Sequence, residues 1–91
     1  MEIITLLAEK LASKIEMTPT ATRGLIKLSI KDELGPFKPI EQLDYYDLRE
    51  MINHSLKKRL EAIKVDNVDL IIKFLEKTLI ENQSLITMGS V

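Results

Sequence analysis

Two pieces of punctuation, Thr18-Pro19 and Gly35-Pro36, decide what this chain can fold into, because the residues between them read two ways. In steps of two, Ile26, Leu28 and Ile30 alternate with Lys27, Ser29 and Lys31, as on a half-buried strand. In steps of four, Ile26, Ile30 and Leu34 line one side of a helix, and Ala21, Leu25 and Leu28 another. Threonine before proline is a helix start: its hydroxyl can accept an orphan N–H, and proline's missing N–H falls where no partner exists anyway. Glycine before proline is a helix stop, since glycine takes the left-handed conformation and proline cannot continue the helix. A strand would also need a neighbour for its backbone groups, and no second convincing strand pattern occurs. The bracketed stretch therefore predicts a helix over 19–34. Gly24 inside it costs ~1 kcal/mol against alanine, or allows close approach of a neighbouring helix.

Helical periodicity recurs on both sides. Ile4, Leu7, Ala8, Leu11 and Ile15 share a face of a helix over 2–16. The segment 37–43 is a loop with one helical turn after Pro39. Asp44 then caps a helix over 45–64, with Asp47 in its first turn and Leu43 and Leu48 at hydrophobic-staple spacing. Its stripe is Tyr45, Leu48, Ile52, Leu56 and Ile63, with Leu60 at the margin. Val65-Asp-Asn-Val-Asp-Leu70 repeats the device, with Asp66 as cap and Val65 against Leu70, ahead of a helix over 67–82. Residues 84–91 read as a frayed tail. The expectation is one all-α domain over 1–91, a compact four-helix bundle, mainly antiparallel, with short loops.

Composition narrows the function classes. There is no cysteine, hence no disulfide and no thiolate metal site. The first ten residues lack the basic flank and long apolar run of a secretory signal, and no apolar segment approaches the ~20 residues of a membrane span. A soluble, cytoplasmic protein without a membrane partner is expected. Thirteen basic residues face 14 acidic ones, with a pI near 5.8. A dedicated nucleic-acid binder usually carries a basic excess. Aromatic content is 4% and tryptophan is missing, so leucine and isoleucine must build the core, as in helix packing.

No catalytic, cofactor-binding or metal-ligating residue is assigned. The three glycines are scattered, so there is no phosphate loop. The single histidine, His54, lies near Glu50 and Asn53 in no recognised motif and reads as a solvated helix residue. Neither an enzyme nor a small-molecule substrate is expected. Arg23 and Lys27 occupy positions from which a helix-turn-helix could reach phosphate or guanine, and Lys57, Lys58 and Arg59 form a basic cluster suited to a nucleic-acid backbone. Packed antiparallel helices and a solvated helix end explain the same residues. Ile30, Leu34, Phe37 and Tyr46 fall off the best core stripes and are candidates for a protein-binding face.

The stretch Met17-Thr-Pro-Thr-Ala-Thr-Arg-Gly-Leu-Ile-Lys-Leu-Ser-Ile-Lys-Asp-Glu-Leu-Gly-Pro-Phe-Lys-Pro-Ile-Glu-Gln-Leu-Asp-Tyr-Tyr-Asp-Leu48, with the missing cysteine and the Ile/Lys/Glu bias, resembles small helical accessory proteins of archaeal replication, those that bind a B-family DNA polymerase. The resemblance implies a non-catalytic subunit that tunes how a larger enzyme engages DNA, with the polymerase catalytic subunit as protein partner. It carries no contact residues over. The expected function is an accessory subunit of a larger assembly; the alternative is a helix-turn-helix DNA binder using the second helix.

Overall fold

The computed structural model describes residues 2–89, with side chains through Ile86. It is helical throughout, with no strand among the described residues. Helix α1 spans Glu2–Ala12 and α2 spans Pro19–Leu34. A single 3₁₀ turn, Ile40–Gln42, precedes α3. Helix α3 is continuous but composite: α-helical over Tyr45–Met51, a wider π turn over Ile52–Leu56, then α-helical over Lys57–Ala62. Helix α4 spans Val68–Glu81 and α5 spans Gln83–Gly89. The Cα radius of gyration, 12.0 Å, matches the ~12 Å expected of a compact chain this long. Among the described residues, no helix is long and apolar enough to cross a membrane.

The bracketed stretch is helix. The Thr18 hydroxyl accepts from the Ala21 N–H at 3.1 Å, and Pro19 opens the first turn. Gly35 ends the helix with its N–H bonded to the Lys31 carbonyl and φ +85°, ψ 163°, a region open to glycine and not the left-handed helical well. The face of α2 turned inward is Thr22, Ile26, Ser29 and Ile30. Gly24 serves no close approach, since a Cβ there would meet nothing within 4 Å.

Neighbours close a ring: α1 packs on α2, α2 on α3, α3 on α4 and α4 on α1, with α5 also against α1. This explains why Ile3, outside the predicted stripe, is fully buried beside Ile4, Leu7 and Leu11: α1 has neighbours on several sides. It is also shorter than predicted, ending at Ala12, with turns through 13–16.

The first turn of α3 follows the sequence. Asp44 Oδ1 accepts from the Asp47 N–H at 2.8 Å, and Asp47 Oδ2 accepts from the Asp44 N–H at 3.2 Å. Leu43 and Leu48 are both buried. Further along, the predicted stripe goes out of phase: Met51 and Leu60 are fully buried, while Ile63 is 51% exposed. Apolar residues at 48, 52, 56 and 60 advance about 40° per step in a regular α-helix. The π turn takes up part of that drift and keeps Leu60 on the inner face.

The start of α4 differs from the prediction. Asn67, not Asp66, holds the capping position, with left-handed backbone (φ 58°) and no side-chain bond to the helix, and Leu70 is 65% exposed, so there is no Val65–Leu70 staple. Helix α5 occupies 83–89, where a frayed tail was expected, and Ile86 is buried against the core; residues 90 and 91 lie outside the described residues.

Candidate functional site

Two surface features gather functional-type side chains. The first is the connection between α2 and α3. Lys38 donates to Asp47 Oδ2 at 2.7 Å, fastening the loop onto the first turn of α3. That hydrogen bond, with desolvation acting against it, holds the Lys38 ammonium above its ordinary range. The ion pair lies one residue from Phe37, which is 94% exposed, and one residue from Tyr46, which is 68% exposed. The Tyr46 ring meets Tyr45 edge-on, centroids 5.4 Å apart. Beside the loop is a depression of about 300 Å³, with Ile30, Pro36 and Ile40 in its lining and Lys27, Lys31 and Lys38 supplying positive charge.

The four residues predicted for a protein-binding face therefore separate. Phe37 and Tyr46 are exposed and share this region. Leu34 is half-buried and packs on the core. Ile30 is a core residue, 3% exposed, because it lies on the inner face of α2 with Ile26.

The predicted nucleic-acid contacts are dispersed. Lys27 and Lys58 are exposed. Arg23 is half-buried, and its Nε is enclosed without a hydrogen-bond partner. Arg59 bonds Asp32 on α2 at 2.6 Å, and Lys57 pairs with Asp69 on α4 at 3.2 Å. Two of the three cations in the basic cluster thus brace neighbouring helices. Arg59 holds the Asp32 carboxyl below the ordinary aspartate range through that hydrogen bond, while the guanidinium is itself pushed up.

The second feature surrounds the π turn. His54 Nδ1 lies 3.2 Å from Glu50 Oε2, one helical turn earlier, and 3.6 Å from Glu33 Oε2 in the last turn of α2. Ser55 donates to the other oxygen of Glu33 at 2.9 Å. The sequence reads His54 as a solvated residue and gives no sign of Glu33, which only tertiary packing brings near. The Glu50–His54 spacing was the available signal, since residues four apart share a helix face.

A wider depression, about 540 Å³, lies between the turn after α1 and the α3–α4 connection. Its charges balance, Lys14 and Lys64 against Glu16 and Asp66, so it selects no sign of ligand. No family model, curated protein or solved structure matches the chain.

Proposed function

We propose that this chain is a non-catalytic interaction subunit of a larger assembly, one acting on DNA such as a DNA polymerase or replication complex, and that it docks through the Phe37 loop and the first turn of α3. The observation that carries this reading is that two exposed aromatics, Phe37 and Tyr46, each adjoin a member of the Lys38–Asp47 ion pair that fastens their segments together. Aromatic side chains bury large areas at little cost in side-chain freedom and dominate binding energy at interfaces. Fastening them beforehand lowers the ordering cost of association. Charge complementarity defines the partner surface: Lys27 and Lys31 beside Ile30, Pro36 and Ile40 suit a protein segment that presents carboxylates next to aliphatic side chains. In this reading α1–α4 act as an antiparallel four-helix scaffold for the docking edge.

Affinity capture from native lysate, with partners identified by mass spectrometry, tests the proposal. Wild-type protein should retain a polymerase or replication component that Phe37→Ala and Tyr46→Ala lose and Lys27→Glu with Lys31→Glu weakens, all with unchanged circular dichroism. Equal capture by every variant removes the docking edge from consideration. The alternative is a helix-turn-helix DNA binder using Arg23 and Lys27, of which Lys27 is exposed and Arg23 half-buried. Tight duplex-DNA binding by the isolated protein, weakening steeply with salt, would favour it.

A further inference from the structure

The middle of α3 and the end of α2 bring three oxygen and nitrogen donors close together. The Nδ1 atom of His54, one carboxylate oxygen of Glu50 and one of Glu33 all lie within 4.8 Å of one another. Around a tetrahedral ion with metal–ligand bonds of about 2.0–2.2 Å, neighbouring ligand atoms sit about 3.3–3.6 Å apart. Of the two distances to His54 Nδ1, that from Glu33, 3.6 Å, lies at the upper end of that range, and that from Glu50, 3.2 Å, just below it.

Two further observations separate this group from an ordinary cluster of surface acids. The pairs that brace the helices elsewhere, Arg59–Asp32, Arg49–Glu76 and Lys57–Asp69, each set one carboxylate against a lysine or arginine. Among the described residues, neither Glu33 nor Glu50 has such a cation within ion-pair distance; the two carboxylates converge on one imidazole. The Ser55 hydroxyl also holds Glu33 Oε1, which leaves Oε2 facing the imidazole. A hydrogen bond from outside the donor set that orients a ligand is the usual support of a metal site.

We propose that Glu33, Glu50 and His54 bind a divalent transition-metal ion of the zinc type, with its remaining positions open to water. The imidazole directs the choice: a nitrogen donor favours zinc or its neighbours over magnesium and calcium, which prefer all-oxygen sites. The bound ion would clip the last turn of α2 to the middle of α3. This inference is independent of the docking edge.

The test is titration of the chelator-treated full chain with zinc chloride, followed by calorimetry, thermal unfolding and the His54 ring resonances in NMR. Expected are one saturable ion per chain, a raised unfolding midpoint and shifted His54 signals, with no response to magnesium at the same concentration. His54→Ala should abolish binding. Glu33→Gln and Glu50→Gln should each weaken it at least about tenfold, and Ser55→Ala, which removes the orienting hydrogen bond, by about tenfold. The substituted ligands are partly or largely solvent-accessible, so circular dichroism of the variants should match wild type. No saturable binding, or zinc binding that survives all three ligand substitutions, overturns the assignment; in either case His54 is only the bridge between two carboxylates.

Discussion

The hydroxyl of Thr22 lies 2.7 Å from the carbonyl oxygen of Ala8, so the first turns of α2 are tied to α1 by a fully buried side-chain hydrogen bond. The same hydroxyl is 3.0 Å from the Pro19 carbonyl and 3.3 Å from that of Thr18, but it has one proton to give, and Ala8 is nearest. Thr22→Val keeps the shape and removes the donor; it should cost about 1–2 kcal/mol. Thr22→Ser keeps the donor and deletes a methyl, at about 1 kcal/mol. Urea midpoints of the two variants would separate hydrogen bonding from packing at this contact.

The Asp32–Arg59 pair predicts a pH dependence. The Asp32 carboxyl is held below its ordinary range by the Arg59 hydrogen bond, partly opposed by desolvation. A depressed carboxylate contributes stability that is complete above its unfolded value, about 3.9, and is lost as pH falls through the folded value. Asp32→Asn should therefore lower the urea midpoint near neutrality and leave it close to wild type at about pH 2. Both groups are solvent-accessible, so the effect should be small and should shrink with added salt.

What the sequence made legible was chemistry contained within a few residues. Thr18 with Pro19 and Asp44 with Asp47 each act within one turn of chain, and each is found acting; α2 also stops at Gly35, though with a backbone outside the left-handed helical well that the sequence predicts. Features that need the fold were hidden. The exposure of Ile63 depends on the π turn, which carries no glycine or proline to announce it. The partners of Arg59 and Lys57 come from other helices. Ile30 has the four-residue spacing of a core residue with Ile26, but whether that face is core or surface depends on the neighbours that cover α2. Glu33 and His54 meet only after α2 and α3 pack. The helix α5 is also hidden in the sequence, because a short helix is secured by what it packs on, here through Ile86.

The end of α3 should respond to a glycine. The Val65 N–H bonds the Leu60 carbonyl at 3.1 Å and the Lys64 N–H bonds the Glu61 carbonyl at 3.0 Å, the paired bonds of a Schellman cap. The position that normally carries glycine is Lys64, at φ 60°. A side chain there costs roughly 1–2 kcal/mol, and glycine returns roughly 0.4–1 kcal/mol of that through its freer unfolded chain. Lys64→Gly should raise stability by about 0.5–1 kcal/mol on these terms. Lys64→Ala keeps the Cβ and should change it little; thermal unfolding of the pair would show the difference.

The π turn makes the sharpest claim about the core, because it reverses the roles of two residues. Regular helical phase places Ile63 on the inner stripe of α3 and Leu60 at its margin. With the wider turn at Ile52–Leu56, Leu60 is fully buried while Ile63 is 51% exposed. Leu60→Ala would leave a cavity in the ring of helices and should cost about 2–5 kcal/mol. Ile63→Ala removes side-chain area that already meets water and should cost about 1 kcal/mol or less. Denaturant unfolding of both variants ranks them directly. Near-equal losses, or a larger loss at Ile63, would mean that α3 runs as a regular α-helix. The Glu50–His54 spacing would survive that change, but the geometry facing Glu33 would not be the one described.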